Sequence, residues 1–264
     1  HIQRLMPDIQ GVLYQPVDTE KFNTYPLPIG SPPESLNPIL QSGARIILNT
    51  SRITQPGIFN DKNLPALIPV LAHLRKQGYP YHVLLIGEIW PDCEIWVKEL
   101  IDAAQKAGVA DYFTVLPGVF DIETYYKYAN VMVTLAPREP FGRAVVEAIA
   151  SGVPVVGSRT GGIGEILSHF APEWAVDPTD PIAAAAAILR IAEDPNTPNQ
   201  LMAGQEWINQ ECSVSSYAQK IMKITGISPQ NPVKKQIDME TTHPNLKSLG
   251  NPGLITGQQG GINS

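Results

Sequence analysis

The stretch from Ala136 to Glu165, APREPFGRAVVEAIASGVPVVGSRTGGIGE, constrains this chain more than any other. Immediately before it, Asn130-Val-Met-Val-Thr-Leu135 is a short apolar run rich in β-branched residues and reads as a buried parallel strand. Its carboxyl end points at Glu139. After the intervening loop, Arg143 to Ala150 combines helix formers with an apolar face; Gly152 then supplies a stop, and Pro154 precedes a second β-rich run, Val155-Val156. Strand, loop, helix and strand in this order make a parallel crossover unit.

Two carboxylates stand in that unit, Glu139 before the helix and Glu147 two turns inside it. Eight residues of separation place them too far apart for an acid–base dyad acting on one atom, and suit them to hold two parts of one long ligand. A pair of solvated helix charges would satisfy the spacing alone. Between them, the backbone amides of Phe141, Gly142 and Arg143 fall at the helix N-terminus, where they lack intrahelical partners and favour an anionic group. At Gly142 the missing Cβ lets a ligand approach the backbone.

Glu139-Pro-Phe-Gly-Arg-Ala-Val-Val-Glu147 resembles the E-x7-E motif of the retaining GT-B glycosyltransferases, specifically glycosyltransferase family 4, the glycosyl transferases group 1 that include sucrose synthases. Ala148-Ile-Ala-Ser-Gly-Val-Pro-Val-Val156 and Thr160-Gly-Gly162 to Glu165 continue the pattern in order. Tyr14-Gln-Pro-Val-Asp-Thr-Glu-Lys-Phe22 is similar to the NGVDxxxF segment that precedes the second domain of these enzymes, with Gln15-Pro16 in place of Asn-Gly. The resemblance covers roughly residues 12 to 225. It implies the C-terminal, donor-binding half of a GT-B fold, with the acceptor-binding N-terminal domain supplied in cis or as a separate subunit.

By the same resemblance Glu147 would bond the ribose hydroxyls and Glu139 a hydroxyl of the donor sugar. Phe141, Gly142, Arg143 and Val146 would line the sugar and phosphate. Arg52 and Lys62 resemble the Arg and Lys that clamp the donor diphosphate, although the loop between them is longer than usual and Asn63 replaces the customary Gly. A solvated surface pair is the alternative for those two. Gly118, Val119 and Phe120 occupy the place where the family's backbone reads the nucleotide base; a turn that merely starts the next helix explains the same residues. No cofactor is implied beyond the donor, a nucleotide-diphosphate sugar, and there is no DxD metal motif.

The rest of the chain alternates strands and helices, which predicts an α/β fold, a Rossmann-like parallel sheet with helices on both faces. Strands are expected at 44–50, 81–87, 112–116 and 173–176, with helices at 64–76, 91–106, 121–129, 181–193, 200–210 and 215–224. Asp121 and Asp180 are the expected caps of two of these helices. Ligands in such sheets bind beyond the carboxyl ends of the strands, and Arg52, Lys62, the 118–120 turn and the Glu139 to Glu147 segment all map to that edge. Residues 1–40, with seven prolines, read as a linker and lead-in segment, 41–227 as the donor domain, and 228–264 as a disordered tail.

Composition narrows the partners. A net charge of −6 argues against nucleic acid as a bulk partner. Two distant cysteines, Cys93 and Cys212, suggest neither a disulfide framework nor a zinc site and suit a reducing, cytoplasmic setting. No apolar run is long enough to span a bilayer, so no transmembrane segment is expected. His73 and His82 read as packing or surface residues, and Asn49-Thr-Ser51 as a chance glycosylation sequon at the end of a core strand. P-loop, nucleophile-elbow and dinucleotide-fingerprint patterns are missing, which demotes those chemistries. The resemblance implies a glycosyltransferase donor domain; a non-catalytic nucleotide-sugar-binding module and an epimerase or phosphorylase relative are the alternatives.

Overall fold

In the computed structural model the described residues are 11–25, 32–55, 57 and 61–226. The expected tail at 228–264 and part of the 54–61 loop lie outside them. Six parallel strands form one sheet: β1 (Arg45–Thr50), β2 (Tyr81–Gly87), β3 (Phe113–Pro117), β4 (Val131–Thr134), β5 (Val155–Ser158) and β6 (Ala175–Val176). Their spatial order is β3-β2-β1-β4-β5-β6, so the chain winds outward from the middle in two directions and reverses between β1 and β4. In an open parallel sheet that reversal opens a crevice above the strand ends.

Burial accounts for the strand sequences. Every residue of β5 is buried, as are all of β2 but its last residue and the interior of β1, so side chains pointing to either side of the sheet are covered. A strand covered on both faces needs continuous apolar runs such as Val83-Leu-Leu-Ile86, and helices on both sides supply the cover. These are α1 (Asn37–Gln41), α2 (Leu67–Lys76), α3 (Glu94–Lys106), α4 (Ile122–Tyr126), α5 (Arg143–Ala150), α6 (Gly161–Ser168), α7 (Pro181–Glu193), α8 (Thr197–Glu211) and α9 (Val214–Thr225). The α7 helix begins where expected because the Asp180 carboxylate accepts from the N–H groups of Ile182 and Ala183, at 3.0 and 2.9 Å. Asp121 precedes α4 without such a side-chain bond.

The lead-in segment carries more structure than its prolines suggest. Val17 and Phe22 are buried, the Val17 N–H donates to the Cys212 carbonyl at 2.7 Å, and Val17 bridges to Ser213. Leu36 and Ile39 are also in the core. Cys93 and Cys212 are both buried free thiols, and burial pushes the Cys212 thiol up to about 12. Asn49 is 2% exposed inside β1, out of reach of any glycosylating enzyme in the folded state. Among the described residues no helix is long and apolar enough to cross a membrane.

His82 lies on β2 with its Nε2 2.8 Å from the hydroxyl of Thr114 on β3. Burial, helped by the charge of Arg75, lowers its pKa from 6.5 to about 4. The folded state thus keeps the ring neutral between pH 6.5 and 4 while the unfolded chain takes up a proton. Stability present above pH 6.5 is lost as pH falls towards 4, by about 1–3 kcal/mol after allowance for solvent screening. Urea unfolding of wild type and His82→Gln at pH 7 and pH 4.5 checks this: the variant should lose part of the pH dependence, and equal slopes would count against it.

Candidate functional site

A cleft of about 400 Å³ opens at the carboxyl edge of the sheet, above the β1/β4 reversal. It is lined from β1 and its exit by Thr50, Ser51 and Arg52, from the β2 and β3 exits by Gly87, Glu88, Gly118 and Val119, and from the β4–α5 unit by Glu139, Gly142, Arg143 and Glu147, with Lys62 reaching in as well. Eight residues singled out from sequence therefore surround one space. Three stand differently. Val146 is wholly buried on the apolar face of α5, and the Phe120 side chain is fully exposed while its carbonyl accepts a bond from Lys21 at 3.2 Å. Phe141 packs its ring against Tyr14, with centroids 6.1 Å apart, and is not among the lining side chains.

The helix N-terminus in the cleft is built by glycines. Gly142 caps α5 at φ +102°, a left-handed conformation that side chains rarely adopt, and a Cβ there would meet Ile163 at 3.2 Å. Its glycine is thus demanded by the protein's own backbone and by α6, in addition to any ligand. Among the described residues the N–H groups of Phe141, Gly142, Arg143 and Ala144 have no hydrogen-bond partner. Four donors at a helix start favour negative charge above them.

The loop before α5 is held by α6, a helix not anticipated at Gly161–Ser168 because three of its first four residues are glycines. Close approach explains them. A Cβ on Gly162 would sit 2.3 Å from the Phe141 carbonyl oxygen, and the Gly162 N–H donates to the Glu139 carbonyl at 2.8 Å. Thr160 Oγ1 donates to the Pro137 carbonyl at 2.8 Å. From the far side, Tyr14 donates to Glu165 Oε1 at 2.9 Å; burial first and that carboxylate second push the phenol up to about 12. The backbone that carries Glu139 is thereby clamped from outside the cleft.

Glu139 and Lys62 form an ion pair, Nζ to Oε2 2.5 Å, with both side chains about four-fifths buried (19% and 21% exposed). Lys62 is aimed by Asn63, whose φ of 50° is left-handed and whose amide donates to the carbonyls of Leu135 (3.1 Å) and Pro178 (2.8 Å). Asn is among the few residues that tolerate this conformation, which explains how it replaces Gly here and adds two anchoring bonds. Arg52 stacks its guanidinium over the Trp90 ring, 5.2 Å from the centroid, and has no carboxylate partner among the described residues.

The exits of β1 and β2 stay paired beyond the sheet. Past the sheet the β1 and β2 exits continue as a ladder: Ile53 donates to the Glu88 carbonyl at 2.8 Å, and Trp90 to the Ile53 carbonyl at 3.2 Å. Both exits are therefore extended here, with Ile53 bridging Ile89.

Glu147 is nested more deeply. Its Oε1 accepts from Arg143 Nε at 2.9 Å, and its Oε2 faces the Tyr126 hydroxyl at 3.4 Å. Burial raises its pKa above 4.5, while Arg143 and the Tyr126 hydroxyl pull it back. Tyr126, fully buried, also meets Thr50 Oγ1 at 2.8 Å. Sequence reasoning missed both Thr50 and Tyr126. Thr50 left one signal, a polar residue at the carboxyl end of an apolar strand, whereas Tyr126 reads like any core aromatic of a helix.

Known proteins resemble the chain in sequence and in fold. Residues 43–205 match the profile of the family described as glycosyl transferases group 1. The D-inositol 3-phosphate glycosyltransferase of Thermobispora bispora is 30% identical over 167 residues, 62% of this chain and 39% of that protein. Sucrose synthase 2 of Pisum sativum is 26% identical over 137 residues, half of this chain (50%) and 16% of its own length. Among solved structures, Anabaena HepE in complex with UDP-glucose superposes with a TM-score of 0.70 at 23% identity, covering 82% of this chain and 57% of HepE. Sucrose-phosphate synthase of Thermosynechococcus elongatus gives 0.64 at 23%, covering 80% and 51%. The chain thus shares the fold of these GT-B proteins over about half their length. With more than half of its residues inside the family profile, the chain belongs to the glycosyl transferases group 1 family.

Proposed function

We propose that this domain binds a nucleotide-diphosphate sugar in the cleft at the β1/β4 reversal and serves its transfer to an acceptor with retention of configuration. The observation that carries the reading is the convergence of Arg52, Lys62, Glu139, the open α5 N-terminus and Glu147 on one space. Glu147, at the buried end, takes the ribose hydroxyls; Glu139, at the loop, takes a hydroxyl of the sugar. The diphosphate lies between them, against Arg52, Lys62 and the four free amides. As the bond from the anomeric carbon to the diphosphate oxygen breaks, its electron pair stays on the diphosphate, and these fixed positive groups stabilise the growing charge. That chemistry calls on no metal. The acceptor and any catalytic group on its side come from an N-terminal domain, in cis or as a separate subunit. The reading includes a cytoplasmic setting.

Isothermal titration with UDP, GDP and ADP and with their glucose and mannose conjugates tests the proposal, starting with UDP-glucose because HepE was solved with it. Saturable binding to one donor is expected, weakened at least roughly tenfold in an Arg52→Ala/Lys62→Ala double variant, since charge-assisted contacts to phosphate are the strong ones. Wild-type protein that binds none of them would overturn the proposal.

A further inference from the structure

The cleft is charge-balanced before any ligand arrives. Arg52, Lys62 and Arg143 face Glu88, Glu139 and Glu147, three cations against three carboxylates. Two of the cations are already engaged, Lys62 by Glu139 and Arg143 by Glu147. The two pairs differ in environment. Arg143 is 65% exposed, so water competes for it and the pair is weakly held; Lys62 and Glu139 are 19% and 21% exposed, where screening is weaker and the attraction larger. Taking Lys62 from Glu139 leaves a part-buried carboxylate that needs a new donor. A bare phosphate or pyrophosphate can take the ammonium, but it stays an anion beside the carboxylate and brings no neutral sugar hydroxyl to it.

We infer that Glu139 is a specificity-determining residue that, by pairing with Lys62, makes the cleft disfavour simple phosphates relative to ligands that bring both a diphosphate and a donor sugar. The inference rests on the proposed donor site. On binding, partners are exchanged: the diphosphate takes Lys62, and a sugar hydroxyl donates to Glu139. The donor replaces both halves of the ion pair, whereas a free anion replaces one. Discrimination against the missing partner works as in any site whose buried polar group a smaller ligand leaves unpaired.

The experiment is titration of inorganic pyrophosphate and, separately, of UDP-glucose into wild type, Glu139→Gln, Lys62→Gln and the double variant, at two salt concentrations. Thermal melts establish that each variant is folded, with Glu139→Ala as a second form should the Gln variant melt early. Glu139→Gln should bind pyrophosphate roughly three- to tenfold more tightly than wild type and UDP-glucose more weakly, opposite signs from one substitution. In the Lys62→Gln background the pyrophosphate gain should vanish, which separates release of Lys62 from a general loss of negative charge. Pyrophosphate affinity that is unchanged or lower in both Glu139 variants, or a gain that persists without Lys62, overturns the inference. A pyrophosphate gain in Glu139→Gln that depends on Lys62, in a protein whose wild type binds no nucleotide sugar, would leave the ion-pair gate standing and sink the donor reading alone.

Discussion

Gly162→Ala is expected to destabilise the protein by about 2–4 kcal/mol and to weaken donor binding in the same step. Helix propensity predicts the opposite sign, since Ala inside a helix is favoured over Gly by about 1 kcal/mol. Packing decides. The new Cβ would stand 2.3 Å from the Phe141 carbonyl oxygen and 2.5 Å from its Cα, backbone atoms that cannot rotate away. Either α6 backs off, breaking the Gly162 bond to the Glu139 carbonyl, or the Glu139 to Gly142 loop moves into the cleft. Urea unfolding reads the first consequence and UDP-glucose titration the second. A variant as stable as wild type would mean that helix and loop do not touch as described.

Glu147→Ala should separate binding from stability. Loss of the carboxylate removes the proposed ribose acceptor, and the affinity for the donor should fall by about 1–3 kcal/mol, the scale of an unmade hydrogen bond in a dry site. The fold should suffer less. Tyr126, the buried group that Glu147 faces, keeps Thr50 Oγ1 at 2.8 Å and the Ala144 carbonyl at 3.3 Å, so its hydroxyl is not orphaned. Arg143 is exposed and returns to water. Titration and urea unfolding of the same preparation test the split: an affinity equal to wild type would remove Glu147 from the site, whatever its effect on stability.

Much of this architecture is legible in residue order because local and tertiary preferences agree. β2 falls at Tyr81–Gly87, α5 at Arg143–Ala150 and α7 at Pro181–Glu193, the expected bounds, since each has an apolar pattern and a clear stop or cap. At α6 they disagree. Gly161, Gly162 and Gly164 argue against a helix locally, and only the backbone packed against them explains their presence. The expected helices at 91–106 and 121–129 shrink to Glu94–Lys106 and Ile122–Tyr126, because turns bridge the ends that helical pattern alone would extend.

The same divide runs through the cleft. Charged residues in the exits of the strands and on the helix that follows could be placed from topology, which is how Arg52, Glu139 and Glu147 come to one space. Side-chain direction could not. Val146 has the right position in the motif and faces the core, and Phe120 sits in the right turn with its ring in water. Tyr126, whose hydroxyl approaches both Thr50 and Glu147, depends on β1, α4 and α5 meeting in space, and no single segment announces that meeting.

The contact between Val17 and the start of α9 has an evolutionary corollary. The chain crosses into the core at Val17 and completes α8 at Glu211, and a 2.7 Å backbone bond from Val17 to Cys212 ties the two places together. A fold whose first buried strand-like residue is tied to the end of α8 behaves like a cassette: change in the sequence that leads into it leaves the carboxyl edge of the sheet undisturbed. Such a seam lets the flanking sequence change in evolution while the carboxyl edge of the sheet stays as it is.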